Sequence, residues 1–337
     1  MRVYRLENPQ GMVVNFIAMG GIITAIEVPD RAGNRANVVL GLRHLEDYAK
    51  QRIYLGCITG RYANRIANAR FSLDGCSYQL TPTDGTSSVH GGGHGFDKAV
   101  WRVSQEGSTS ALLRHQSPDR DEGYPGTLDI SVRYSLSEMN ELRFDYQAVT
   151  DKPTVINLTN HSYFNLAGEG TGDILAHRLQ VQANKYTPAD SILIPTGSIA
   201  TVEGTPFDFR EPRLIGERIA TPHPQIIAGK GYDLNYVIDR DLPGALVHAA
   251  RLSEPICGRT MEVLTTEPGL QLYTGNLLDG TIEGQSGRLY RQSAGICLET
   301  HHYPDSPNQP DFPSVVLRAG ETYRSMTIYR FGVELAN

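Results

Sequence analysis

The chain has 337 residues, 40% of them apolar, with 34 glycines and a formal net charge of −6. That much apolar material supports a sizeable core and excludes a disordered chain, and the mild acidity excludes a phosphate-backbone binder, which needs a basic face. No run reaches the ~18 apolar residues that cross a bilayer, and residues 1–9 are charged and broken by proline, unlike a signal peptide. The expectation is a cytoplasmic protein with neither nucleic acid nor membrane as partner.

The dominant period along the chain is two. Apolar runs at 13–19 and 22–28 flank Gly20-Gly21, which predicts two strands joined by a tight turn. Residues 42–49 carry Leu42, Leu45, Tyr48 and Ala49 on one helical face and predict a short surface helix. At 71–73 and 76–80 two short strands flank Asp74-Gly75, the residue pair that a type I′ hairpin turn favours. Trp101 opens a strand-like run and is expected in the core. Residues 128–136 and 142–148 alternate strictly about the polar turn 137–141, as an antiparallel hairpin with one wet face does. Further short strands are expected at 261–264, 270–274, 296–298, 315–317 and 326–331. The Pro- and Gly-rich stretches 195–212 and 300–313 read as long loops. No strand–helix alternation argues for a parallel doubly wound sheet, and no composition shift divides the chain. The reading is a single all-β domain over residues 1–337, a large antiparallel sandwich with few short helices.

Cys57, Cys76, Cys257 and Cys297 are sparse, without CxxC spacing, and are expected as free thiols. His90-Gly91-Gly92-Gly93 looks like a hydrolase oxyanion loop, but the G-x-S-x-G elbow is missing; Gly284-Gln285-Ser286-Gly287-Arg288 ends in arginine. His90 and His94 are four apart across three glycines, which argues against the helix that a metal-binding pair needs, and adjacent His301 and His302 would face opposite sides of a strand. No metal is therefore expected. Gly229-Lys230-Gly231 lacks the remainder of a phosphate loop.

Five strings occur in one order along nearly the whole chain: Gly60-Arg61-Tyr62-Ala63-Asn64-Arg65-Ile66; His90-Gly91-Gly92 with Gly95-Phe96-Asp97-Lys98; Asn157-Leu158-Thr159-Asn160-His161-Ser162-Tyr163-Phe164-Asn165-Leu166; Gly231-Tyr232-Asp233; and Leu298-Glu299-Thr300. In these strings the chain resembles the aldose 1-epimerase (galactose mutarotase) family. The resemblance implies a supersandwich of antiparallel sheets with an open cleft, no metal or organic cofactor, a monosaccharide substrate such as galactose or glucose, and a monomer or homodimer. It implies Glu299 as general base and His161 as general acid. It also implies Asn64, Arg65, His90, Asp233 and Gln271 as substrate-binding positions, with Tyr163 lining the site.

Chemistry agrees with that assignment. Mutarotation removes the proton of the C1 hydroxyl while another is given to the ring oxygen, so one carboxylate and one imidazolium suffice near neutral pH. Glu299, at the end of the apolar run 295–298, is read as a partly desolvated carboxylate at a strand mouth. His161 is read as a ring whose tautomer the amides of Asn157, Asn160 and Asn165 could fix. Arg65 suits a pair of vicinal hydroxyls because its guanidinium is a fixed fork, whereas Arg61 is read as a surface or ion-paired structural residue. The sequence departs from the family pattern at Leu234, His301 and Thr83-Asp84, which bears on sugar preference. Three alternatives remain open: a carbohydrate-binding module that lost the reaction, an epimerase of a phosphorylated sugar, and a metal-dependent isomerase.

Overall fold

The computed structural model describes residues 1–335. A nine-stranded antiparallel sheet forms its floor, in the order Arg102–Glu106, Ser110–Ser117, Leu128–Leu136, Glu141–Thr150, Tyr323–Val333, Arg259–Thr265, Val247–Ser253, Arg178–Val181 and Arg213–Leu214. The hairpin read at 128–148 lies inside it. Leu136 pairs with Leu142, and Leu128, Ile130, Val132, Tyr134 and Leu136 are all buried while the residues between them reach solvent. That is the one-wet-face alternation of an antiparallel sheet.

A five-stranded antiparallel sheet (Ala200–Thr201, Lys185–Thr187, Asp233–Val237, Gly269–Tyr273, Cys297–His301) packs over this floor. Its inner face carries Leu234, Tyr236, Leu270, Leu272 and Leu298, all in one continuous core with Tyr329, Val263 and Phe144 of the larger sheet. The Tyr329 hydroxyl donates to the Leu298 carbonyl across the two layers at 3.0 Å. With a side-chain period of two, the residues between the leucines point the other way: Asp233, Asn235, Gln271, Tyr273, Cys297 and Glu299 share the outer face. The apolar inner row thus fixes the register that gathers the polar outer row.

A four-stranded sheet (Val3–Glu7, Val13–Ile17, Ile23–Pro29, Arg35–Asn37) includes the first predicted pair of strands, and Gly20 and Gly21 turn between them at φ 62° and 56°. Asp74-Gly75 likewise turns at φ 50° and 77° between Arg70–Leu73 and Cys76–Gln79. The expected helix over 42–49 is reduced to a 3₁₀ turn, Leu45–Ala49. Leu42 instead stays extended, bridging Gly284 and donating its amide to the Tyr48 hydroxyl at 2.8 Å. One six-residue helix, Pro224–Gly229, was not legible; His223 caps it and proline starts it. Trp101 is buried in the core, as expected, and donates from its indole to the Phe96 carbonyl. All four cysteines are free, and among the described residues no helix is long and apolar enough to cross a membrane.

Candidate active site

Above the outer face of the five-stranded sheet lies a cavity of about 250 Å³, lined by Asn64, Arg65, His90, His161, Tyr163, Asp233, Gln271 and Glu299 among others. These are the eight residues expected from the sequence, drawn from six separate stretches of chain. Glu299 is not at a strand mouth: it sits in the middle of Cys297–His301, paired with Gln271, and is only 2% exposed. The strand continues past it because Thr300 and His301 still pair with Leu270 and Gly269.

Gln271 sits beside Glu299 in register and bonds Asp233. Its Nε2 donates to Asp233 Oδ1 at 2.5 Å, while its own Oε1 and Glu299 Oε2 have no protein partner. Buried polar atoms without partners are rare, and here both belong to residues that line the cavity. Burial pushes the Glu299 carboxyl well above its ordinary value; the Asp233 charge adds to this and Arg65 opposes it. Asp233 is raised as well, by burial, against Arg65 and the Gln271 hydrogen bond.

His161 leaves the short strand Thr159–Asn160, which pairs with Ile58–Thr59, and is 4% exposed. Its Nε2 is 3.5 Å from Glu299 Oε1. Burial lowers its pKa to about 4. The neighbouring amides do not fix the ring, contrary to expectation. Asn157 bonds the backbones of Ala63 and His302, Asn160 those of Gly56 and Ser162, and Asn165 those of Gly172 and Ala294. They satisfy irregular backbone beneath the site, and that is why so many amides cluster there.

His90 lies across the cavity, its ring 5.1 Å from that of His161. It and Asn64 adopt left-handed backbone (φ 50° and 64°) and exchange bonds: the His90 amide donates to the Asn64 carbonyl, and the Asn64 amide donates to His90 Nδ1 at 3.2 Å. That second bond occupies the Nδ1 lone pair, so the ring hydrogen is on Nε2 and His90 is a hydrogen-bond donor. Gly91 permits this approach, since a Cβ there would lie 1.8 Å from the Gly60 carbonyl oxygen. His90, His161 and Glu299 bring three donor groups within 4.8 Å, a composition that could hold a metal ion. A ligating His90 would need its Nε2 lone pair, which the Asn64 hydrogen bond converts to N–H.

Arg65 reaches the rim, where its Nη2 is 3.3 Å from Asp84 Oδ2. Tyr163 contributes its ring, 5.1 Å from that of His161, because its hydroxyl is spent on the Ile53 carbonyl at 2.8 Å. Sequence reasoning missed Tyr54, whose ring is 4.4 Å from His90, and Tyr273, on the same strand as Gln271. The period of two around Gln271 could have flagged Tyr273; Tyr54, in an irregular segment at φ 57°, carried no signal. Of the three departures, Leu234 points into the core and His301 is buried on the Glu299 face with Nδ1 bonded to the His302 carbonyl. Thr83 and Asp84 line the cavity. His302 indeed points the opposite way and pairs with Glu267.

Arg61 is neither on the surface nor ion-paired at contact distance. It is buried, and its guanidinium donates to the carbonyls of Ser117, Pro118, Pro125 and Gly126 and to the Ser117 hydroxyl. Burial brings its pKa down to about 10. Arg61→Ala strands those carbonyls and is expected to cost roughly 3–5 kcal/mol. At roughly 0.7 kcal/mol per degree for a chain of this length, that is a fall in Tm of about 4–7 °C, read by thermal unfolding. A change below about 1 °C would mean that water replaces the guanidinium at no cost.

The comparisons with known proteins agree with this geometry. The aldose 1-epimerase family model matches residues 2–330. The chain is 45% identical over 320 residues to galactose mutarotase of Rattus norvegicus, covering 95% of this chain and 91% of that protein. It is 38% identical to aldose 1-epimerase of Escherichia coli (strain K12), covering 99% and 96%. Among solved structures, an aldose epimerase homologue from C. elegans superposes with a TM-score of 0.91 at 28% identity, covering 99% of each chain. Galactose 1-epimerase from Lactobacillus acidophilus superposes at 0.85 and 31% identity, covering 99% of this chain and 95% of that one. With a buried carboxyl–imidazole pair in a sugar-sized cavity on this fold, the chain belongs to the aldose 1-epimerase family of carbohydrate isomerases.

Proposed function

We propose that the protein interconverts the α and β anomers of neutral aldohexoses such as galactose and glucose, with Glu299 as base and His161 as acid. The single observation that carries this reading is the pair itself: a buried carboxyl oxygen 3.5 Å from a buried imidazole nitrogen, facing one cavity. Glu299 takes the C1 hydroxyl proton and His161 gives one to the ring oxygen, so the C1–O5 bond opens to an aldehyde. After C1 rotates, Glu299 returns its proton to the aldehyde oxygen while His161 takes that of the C5 hydroxyl, and the ring closes on the other face. Each group recovers its starting state, and nothing is consumed.

Burial favours the uncharged form of each partner, so the pair's single proton rests on Glu299 when the site is empty and passes to His161 across the 3.5 Å contact before the ring opens. The empty-site distribution is also the one reached after ring opening, so the site is matched to the open-chain sugar. Gln271 Oε1, Asp233, Asn64 and the His90 N–H supply acceptors and donors for ring hydroxyls, and Arg65 a fork for two of them. The volume, about 250 Å³, lies below the ~300–1,000 Å³ of drug-sized pockets and suits one pyranose. Three carboxyl groups (Asp84, Asp233, Glu299) line the cavity against two arginines, Arg52 and Arg65, the latter already paired with Asp84, which favours a neutral sugar over a phosphorylated one. The free thiols suit a reducing compartment, and we place the enzyme in the cytoplasm, as one domain over 1–337 acting as a monomer or homodimer.

Polarimetry on freshly dissolved α-D-galactose and α-D-glucose tests the reading, and its pH dependence has a definite sign. Below about pH 4 both partners are protonated and no base remains; above the raised value of Glu299 both are deprotonated and no acid remains. The expected kcat/KM is level through neutral pH, with its acid limb near 4 rather than near the ordinary histidine value. Rotation no faster than in buffer on any common aldose would sink the reading. Activity lost on exhaustive chelation and restored by a divalent ion would instead assign His90, His161 and Glu299 to a metal.

A further inference from the structure

Proton transfer at His161 Nε2 makes a demand on the other ring nitrogen. A neutral imidazole has one N–H and one lone pair, so a ring that gives and retakes a proton at Nε2 must keep its hydrogen on Nδ1 throughout. In many enzymes a carboxylate or a backbone carbonyl holds that hydrogen. Here the Nδ1 partner is the thiol of Cys297, 3.5 Å away and fully buried. Cys297 and Glu299 are two apart on one strand and face the same side, so the strand presents the sulfur to Nδ1 and the carboxyl to Nε2 of the same ring.

We infer that Cys297 is a positioning residue for His161: its sulfur accepts the Nδ1–H and so reserves Nε2 for exchange with the sugar. The inference rests on the acid role of His161 proposed above. It also explains why His161 and not His90 takes that role, although both line the cavity. His90 Nδ1 accepts from the Asn64 amide, which leaves its hydrogen on Nε2 as a fixed donor. The two histidines therefore hold opposite tautomers, each set by what its Nδ1 meets. A thiol suits the position because it stays uncharged: burial and the Glu299 carboxylate push its pKa well up. It orients the ring without adding a fourth negative group to a cavity that already has three carboxyls.

Nitrogen-15 NMR of the imidazoles at neutral pH reads the tautomers directly and does not depend on activity. The expected result is Nδ1–H for His161 and Nε2–H for His90 in the wild type, with His161 shifting toward Nε2–H in Cys297→Ala. In polarimetry Cys297→Ala is expected to lose about tenfold in kcat with KM little changed; this is less than the ~10⁴ that loss of a carboxylate orienter costs, because sulfur is a weak acceptor. Cys297→Ser, which restores an acceptor, is expected to stay within about threefold of wild-type kcat. Cys57→Ala is the packing control, since Cys57 is buried in the same apolar cluster but bonds the Tyr54 carbonyl; its kcat is expected to be unchanged. A serine variant as slow as the alanine variant would overturn the inference while leaving the acid role intact, and a wild-type His161 in the Nε2–H form would overturn it together with proton exchange at Nε2. Were the tautomer as expected but a His161 variant fully active, the acid role itself would be lost.

Discussion

Glu299→Gln is expected to lower kcat about 10³-fold, within the 10²–10⁴ that general-base catalysis contributes, with KM changed only a few-fold. The substitution keeps shape and burial and removes only the ability to take a proton. Glu299 Oε2 has no protein partner, so the amide has no protein hydrogen bond to lose at that position. Stability gives an independent check. A folded-state pKa above the unfolded value means that stability declines between those two values as pH rises, because the carboxyl ionises in the unfolded chain while the buried one keeps its proton. Glutamine does not ionise, so the variant's Tm is expected to equal the wild type's at low pH and exceed it at neutral and alkaline pH. A variant within tenfold of wild-type kcat would remove Glu299 from the base role; a variant with lower Tm at all pH values would mean that the carboxylate is chiefly structural.

His161→Gln is expected to cost a similar 10²–10³-fold in kcat. Its ring packs against Tyr163 and Tyr54, so the shape change is real and a second histidine serves as comparison. His90→Gln removes a group that only donates, and its loss is expected mainly in KM. In the proposed reaction the acid and base serve the same two transfers. The Glu299→Gln/His161→Gln double variant is therefore expected to be barely slower than the slower single variant, since groups that act as a unit are non-additive. Fully multiplicative losses, measured in the same polarimetric assay, would mean that the two groups act in separate steps.

The strands with one wet face were legible along the chain, because burial on one side of a sheet imposes a period of two. Leu128 to Leu136 is the clear instance. The tight turns were legible for an equally local reason: Asp74-Gly75 and Gly20-Gly21 supply the positive φ that other residues resist. Helical periodicity at 42–49 misled, since two turns of pattern are outweighed by the tertiary bonds that hold Leu42 extended. The family strings contain seven of the eight expected cavity residues, with Gln271 implied by the resemblance outside them, yet neither composition nor periodicity could have named them, because Asn64, His90, His161 and Glu299 lie in distant segments brought together only by the fold.

What the sequence by itself determined was the all-β class, the turns, and the residue types that an acid–base reaction requires. The tertiary structure alone decided how those residues work. It moved Glu299 from a strand mouth to mid-strand and full burial. It assigned the asparagines around His161 to the backbone and Arg61 to a buried cluster of carbonyls. It also placed a sulfur, rather than an amide, against the His161 imidazole. The physical reason is common to all of these: a side chain's solvation and hydrogen-bond partners are set by residues far away in the chain, and pKa and tautomer follow from them.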